Sequence, residues 1–159
     1  MVDYPTTEDQ ELFKEHLKVS EPMGNYYVTL VGLRDYKTPD IVDVLQTGLT
    51  FDAFEHFVEN LGLPKEEILR LIQLPLRTLQ RRKKEGVLHP DESDRLLRAA
   101  RVFAQAVSLF DGDYKATREW FVKPLGALGG SSPLEFASTE LGAREVETII
   151  GRLEYGIPL

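Results

Sequence analysis

Residues that begin helices alternate with residues that end them from position 38 onward, and this order restricts the fold more than any other feature. Thr38 followed by Pro39 suits a helix start, because threonine favours the cap position and proline the first turn. Gly48 ends that segment, Thr50 begins the next, and Gly62 ends it in turn. Apolar residues recur at helical spacing between these positions. The pattern predicts an all-α fold.

The same signals predict helices through the rest of the chain. Pro64 and Pro75 open two short helices, and the second ends near Gly86. A long helix from Asp91 to Phe110 is expected to be the central packing element, because its apolar surface is wide. Its apolar positions are Leu96, Leu97, Ala100, Phe103, Ala104, Val107 and Phe110. The last helix carries an apolar stripe formed by Val146, Ile149, Ile150 and Leu153.

Residues 1–37 are predicted to form a separate N-terminal arm. Thr7 and Gln10 have the spacing of a capping box, which would open a short helix through Lys18. Residues 26–33 are β-branched and aromatic, which favours a strand. Because a lone strand needs a partner, the alternatives are an extended segment packed on the helical body or pairing with a second subunit.

Several classes of function are excluded or disfavoured. The chain has no cysteine, so disulfides, thiolate zinc sites and cysteine nucleophiles are absent. No apolar run approaches the roughly 20 residues that span a bilayer, and no signal peptide is evident, so we expect a cytoplasmic protein without membrane contact. His16, His56 and His89 show no paired-ligand spacing, and no nucleophile–base motif or phosphate loop is present. We predict no metal, no cofactor and no enzymatic activity.

Positive charge is concentrated in one segment of an otherwise acidic chain. Residues 65–101 hold ten Lys/Arg and six Asp/Glu, a net of +4, whereas the remaining nine basic and twenty acidic residues give −11. A local basic surface suits phosphate. On charge alone, the alternative is a solvated helical face with paired charges.

Residues 63–86 have the layout of a helix-turn-helix, with two short helices and a tight connection. Leu76 and Leu79 are expected to point inward from the second helix. Its polar residues are of the types that contact base edges and phosphates, and the predicted DNA-binding set is Arg77, Thr78, Gln80, Arg81, Arg82, Lys83 and Lys84. We expect Arg82 and Lys83 to contact phosphate. The alternative is an ordinary amphipathic hairpin.

The turn of this motif departs from the usual pattern. Gln73 occupies the position that normally takes glycine, where a positive φ is needed and is costly for other residues. Leu69 replaces the small residue expected in the first helix. Both changes predict an altered helix pair and weakened DNA binding.

Four motifs together resemble one protein family. Residues 77–86 and 88–98 resemble the core of Xre/ParS-type (MbcA-like) antitoxins, and residues 127–135 are similar to an "ALGG-x-x-P-L" element of that family. Residues 139–147 and 151–156 resemble its final helix and tail. The motifs occur in the family's order over residues 39–159, and residues 1–37 lie outside the resemblance.

The resemblance implies a protein partner. Antitoxins of this family neutralise a RES-domain toxin that degrades NAD, and their C-terminal domain and tail cover its NAD pocket. Homodimerisation and repression of the antitoxin's own promoter through operator DNA are further implications. We therefore expect a helix-turn-helix region at 38–90 and a toxin-binding domain at 91–159 that share the long central helix.

The last helix and the tail are the predicted toxin-binding surface. Its expected members are Arg144, Glu147, Thr148, Arg152, Tyr155, Gly156, Ile157, Pro158 and Leu159. The four helical residues are expected to face outward, opposite the apolar stripe. Gly156 should end the helix, so that Ile157, Pro158 and Leu159 project, with a terminal carboxylate able to pair with arginines of the toxin. The alternative is a frayed end.

Three further hypotheses remain open on the sequence. One is a dimeric helix-turn-helix repressor without a toxin partner, and another is an antitoxin that has lost DNA binding. A hydrolase is the most distant of the three, because no catalytic constellation is present.

Overall fold

A computed structural model describes residues 5–19 and 23–159, and confirms an all-α fold. The described ranges contain no β-strand, only a single antiparallel bridge between Thr50 and Val87. The helices are α1 (Glu8–Val19), α2 (Thr38–Thr47), α3 (Phe51–Leu61), α4 (Lys65–Leu71), α5 (Leu76–Glu85), α6 (Pro90–Leu109), α7 (Tyr114–Phe121), α8 (Pro133–Phe136) and α9 (Glu140–Glu154). Two 3₁₀ segments, Tyr26–Val31 and Gly126–Leu128, complete the fold. None of these helices is long and apolar enough to cross a membrane.

The long helix α6 is the packing centre, as predicted. It lies against α9, α7, α2, α3 and the first 3₁₀ segment. Its side chains are buried on more than one face, and the fully buried ones include Leu96, Ala100, Val102, Phe103 and Val107. The helix-turn-helix region and the C-terminal helices therefore share one core.

The strand predicted for residues 26–33 is wrong, because Tyr26–Val31 form a 3₁₀ helix that ends at Gly32. The N–H groups of Gly32 and Leu33 are satisfied locally, by the carbonyls of Thr29 at 3.0 Å and Val28 at 3.2 Å. Val28, Leu30 and Val31 are buried against the helical body. A continuous apolar run does not distinguish a buried strand from a buried helix, and the described residues offer no strand edge for pairing.

Polar contacts fasten α1 to α3. The predicted capping box is present, since the N–H of Gln10 donates to Thr7 Oγ1 at 3.0 Å and Gln10 Oε1 accepts from the N–H of Thr7. Asp9 is almost fully buried and lies 2.5 Å from Arg34 Nη2, 2.6 Å from His56 Nδ1 and 2.8 Å from Asn60 Nδ2. Burial by itself raises the pKa of Asp9, but the hydrogen bonds from Arg34, Asn60 and His56 outweigh it and the pKa is lowered. The hydrogen bond to Asp9 raises the pKa of His56.

These two shifts predict a pH window for stability. The contribution of His56 is complete below its unfolded pKa of about 6.5 and is lost as the pH rises through its higher folded pKa. The contribution of Asp9 is complete above about pH 3.9 and is lost as the pH falls through its lower folded pKa. We expect thermal unfolding of wild type to shift to lower temperature as the pH rises from about 6.5 through the higher folded pKa of His56, and the Asp9→Asn variant to show a smaller shift. Equal shifts in the two proteins would contradict the assignment.

Candidate nucleic-acid interface and protein-binding surface

The α4–turn–α5 unit has the geometry of a helix-turn-helix. Helix α4 ends at Leu71, Gln73 has φ 52°, and Pro75 caps α5. The N–H of Leu74 donates to the carbonyl of Leu69 at 3.0 Å, which closes the turn, and the Leu74 side chain is buried. Gln73 thus adopts the positive φ that this turn position usually leaves to glycine.

Helix α5 presents the predicted polar residues together on one exposed surface. Arg77, Gln80, Arg81 and Lys84 are exposed, and Lys83 is exposed beside them. Thr78 is half-buried, with its hydroxyl 3.5 Å from Arg81 Nη2. Arg and Lys at this density suit phosphate, and Arg and Gln suit base edges.

Arg82 does not belong to this exposed surface, which corrects the expectation that it contacts phosphate. Its side chain is buried, and its Nε lies 2.6 Å and 3.1 Å from the two carboxylate oxygens of Glu92. Its Nη2 lies 3.2 Å from His89 Nδ1. The hydrogen bond to Glu92 raises the pKa of Arg82, so this cation is committed to joining α5 to the start of α6.

Leu76 is a second residue of α5 whose predicted orientation is wrong. It was expected to point inward with Leu79, yet it is 56% exposed whereas Leu79 is 2% exposed. Leu76 is the first residue of α5, so no earlier turn of that helix lies against it. Its position directly after the cap Pro75 could have predicted this exposure from the sequence.

The side chain of Gln73 explains why glycine is not required at the turn. Its Nε2 donates to the carbonyl of Ser138, at the junction of α8 and α9, at 2.7 Å. Two arginines of α6 add to this connection. Arg95 Nε donates to the carbonyl of Ile72 at 2.8 Å, and Arg98 Nη2 donates to the carbonyl of Ser138 at 3.2 Å. We call these contacts the turn tie.

The turn tie predicts an unusual order of variants at Gln73. A positive φ costs a non-glycine residue roughly 1 kcal/mol, and the hydrogen bond contributes about 0.5–1.5 kcal/mol. Gln73→Gly removes both effects and should change the free energy of unfolding little. Gln73→Ala keeps the strain and loses the bond, so it should be about 1 kcal/mol less stable in urea titrations. The exposed Gln80→Ala is the control. Equal losses for Gly and Ala would show that the backbone conformation is not costly.

On α9, three of the four helical residues predicted to face outward do so. Arg144, Thr148 and Arg152 are exposed, and Arg144 Nε lies 3.1 Å from Glu140 Oε1. Glu147 corrects the prediction, because it is half-buried and its Oε1 lies 2.9 Å from Arg101 Nη2. Glu147 forms an ion pair with Arg101 of α6, so it is less available to a partner than the other three residues.

The end of α9 is a defined structure with exposed apolar side chains. Gly156 has φ 66°, its N–H donates to the carbonyl of Leu153 at 3.3 Å, and the N–H of Ile157 donates to the carbonyl of Arg152 at 2.8 Å. These are the two bonds of a Schellman motif, so Gly156 ends the helix as predicted. Tyr155 is 82% exposed, Ile157 52% and Leu159 54%.

Leu153 adds to this apolar end and corrects the predicted inward stripe. It is 38% exposed, whereas Val146, Ile149 and Ile150 are buried against the core. We call Leu153, Tyr155, Ile157 and Leu159 the apolar end.

Within the described ranges, His89, Asp91 and Glu92 place potential ligand atoms within 4.8 Å of one another. Glu92 accepts hydrogen bonds from Arg82 and from the N–H of His89, at 2.6 Å and 3.2 Å. The three residues form the cap of α6, and His89 and Glu92 complete a capping box there.

The chain is thus an all-helical helix-turn-helix protein whose C-terminal domain shares the same core and ends in an exposed apolar surface. Residues 40–101 match the family model described as an antitoxin Xre-like helix-turn-helix domain. Residues 105–156 match the model described as an antitoxin Xre/MbcA/ParS C-terminal toxin-binding domain.

The comparison with whole proteins agrees. The chain is 38% identical to a Yersinia enterocolitica protein and 34% identical to a Photorhabdus laumondii protein, both named antitoxin Xre. Each alignment covers 80% of this chain and 86% of the relative. An antitoxin Xre of Pseudomonas putida is 37% identical over 54% of each chain. The chain belongs to the Xre antitoxin family, and its role is that of an antitoxin with a toxin-binding domain.

Proposed function

We propose that this antitoxin inhibits a NAD-degrading RES-domain toxin by covering its active site with the end of α9 and the tail. We further propose that residues 91–159 form the inhibitory part, and that residues 38–90 of a homodimer bind operator DNA to repress the operon. The observation that carries the proposal is the apolar end, which is held on a structured helix end and left exposed.

The apolar end has a free-energy reason to be covered. Fully burying an Ile or Leu side chain contributes roughly 1.5–3 kcal/mol. Ile157 and Leu159 are each about half exposed, so each can still gain about 0.8–1.5 kcal/mol when a pocket closes over it. Tyr155 offers a larger exposed ring and a hydroxyl for a polar contact.

The geometry of the tail lowers the cost of inserting it. The Schellman bonds at Gly156 and Ile157 fix the direction in which the chain leaves α9. Pro158 restricts the backbone one residue later, and a segment that is already ordered loses less entropy on binding. A frayed end would lack these bonds.

The charges near the tail indicate polar contacts around an apolar centre. Arg144 and Arg152 are exposed on α9, and Arg152 lies one turn before the tail. An interface with apolar side chains at the centre and charged groups at the rim is typical of specific protein complexes.

Operator binding rests on a separate surface, and it also supports the second candidate function, a repressor without a toxin partner. The exposed residues of α5 lie on a helix that follows the turn, as in proteins that place this helix in the major groove. A dimer would place two such helices on half-sites about one helical turn apart.

The experiment is co-expression of the chain with the product of the adjacent reading frame, followed by purification and an NAD consumption assay. We expect a stable complex, and a toxin that consumes NAD alone but not when the antitoxin is equimolar. An active toxin within an intact complex would contradict the inhibitory mechanism. Absence of any complex, together with selective DNA binding by the chain alone, would favour the repressor.

A further inference from the structure

Leu76 is an exposed leucine at the leading end of α5, and packing within the chain does not account for it. It is 56% exposed and follows the cap Pro75, whereas Leu74 and Leu79 on either side are buried. Single exposed leucines are common, so exposure alone does not indicate a function for Leu76. Its position among the neighbouring polar residues does.

The neighbours of Leu76 are the residues assigned above to DNA. Gln80 lies four residues later and therefore shares a face of the helix with Leu76, and Arg77 is related to Arg81 in the same way. Side chains of a helix lean toward its N-terminus, so Leu76 and Arg77 project furthest forward. Among the exposed residues of this patch, Leu76 is the apolar one.

We propose that Leu76 is a specificity-determining residue that contacts the 5-methyl group of a thymine in the operator. The inference rests on the operator binding proposed above. The first residues of a helix placed in the major groove reach base edges, and the thymine methyl is the apolar group displayed there. Over any other base edge, a leucine would displace the water that hydrogen-bonds to the polar atoms there. It could offer those atoms no hydrogen bond in return, which costs binding free energy. Leu76 thereby favours thymine at one position of each half-site.

The test removes a single methyl group from the DNA. Duplexes bound by the full-length chain are enriched from a random-sequence pool, and each thymine of the enriched site is then replaced in turn by deoxyuridine. We expect one position per half-site at which wild type binds the uracil duplex about four-fold more weakly, as suits the loss of one buried methyl. Leu76→Ala should bind the thymine and uracil duplexes equally. Leu141→Ala, which alters an 80% exposed leucine on α9, should keep the wild-type ratio.

The outcomes separate this inference from the proposed function. Selective binding by wild type with no effect of uracil at any position overturns the role of Leu76 and leaves operator binding intact. An unchanged uracil effect in Leu76→Ala assigns the methyl contact to another residue and also overturns it. A change in the sedimentation mass of free Leu76→Ala would show that a second copy covers this leucine, which again overturns it. Failure of wild type to enrich any sequence overturns operator binding and the inference together.

Discussion

An antitoxin that ends at Tyr155 is expected to fold as wild type does and to keep its state of association, yet leave the proposed RES-domain toxin at least partly active. The truncation removes Gly156–Leu159, and with them Ile157 and Leu159 of the apolar end. Their half-exposed side chains offer about 1.5–3 kcal/mol together, which corresponds to roughly 10- to 150-fold weaker inhibition. The measurement is NAD consumption by the toxin across a titration with each antitoxin.

A second variant separates the loss of side chains from the loss of the helix end. Ile157→Ser combined with Leu159→Ser keeps the backbone that makes the Schellman bonds and should inhibit nearly as poorly as the truncated chain. Leu141→Ala, at the opposite end of α9, should inhibit as wild type does. Full inhibition by the truncated chain at equal concentration would show that another part of the domain covers the active site.

The second large effect is expected on DNA. Combining Arg77→Ala with Arg81→Ala should weaken operator binding by roughly 2–6 kcal/mol, because each arginine that contacts a base edge contributes about 1–3 kcal/mol. Both side chains are exposed on α5, so the fold should be unaffected. The measurement is titration of operator DNA at physiological salt, together with a thermal melt of each protein.

The matched control removes two positive charges elsewhere. Lys115 and Lys123 are exposed outside the helix-turn-helix, and replacing both by alanine gives the same net charge as the arginine double variant. The lysine double variant should keep most of the operator affinity. If the arginine variant binds as wild type does, α5 is not the reading helix. Weak binding by wild type itself would support the hypothesis that DNA binding has been lost.

The sequence was most informative where a structural rule is local. The Thr7–Gln10 capping box and the Gly156 stop are both present, because each depends on residues within about one helical turn. The long helix was predictable for a similar reason, since its apolar positions repeat along the same element.

The errors have two sources, contacts with residues distant in sequence and positions at the ends of helices. Arg82 has the same local pattern as its exposed neighbours, and only the approach of Glu92 from α6 makes it a buried ion pair. Glu147 is engaged by Arg101 for the same reason. Leu153 continues the spacing of a buried stripe but lies in the last turn of α9, where burial is incomplete. The capping-box spacing of His89 and Glu92 is a local sequence feature that could have indicated that the Glu92 carboxylate turns back toward α5.

The turn tie has a thermodynamic consequence for the two partners proposed above, a toxin and operator DNA. The carbonyl of Ser138 accepts hydrogen bonds from both Gln73 and Arg98, so the segment just before the final helix is bonded to the turn that precedes α5. A ligand that moves one of these segments must therefore strain or break the hydrogen bonds to the other, and this links the two binding equilibria. Linkage then requires reciprocity: the factor by which bound toxin changes affinity for the operator equals the factor by which bound operator changes affinity for the toxin. The coupling free energy follows from the operator affinity measured with and without bound toxin. Gln73→Gly removes one hydrogen bond of the turn tie, so comparing it with wild type measures the contribution of that bond.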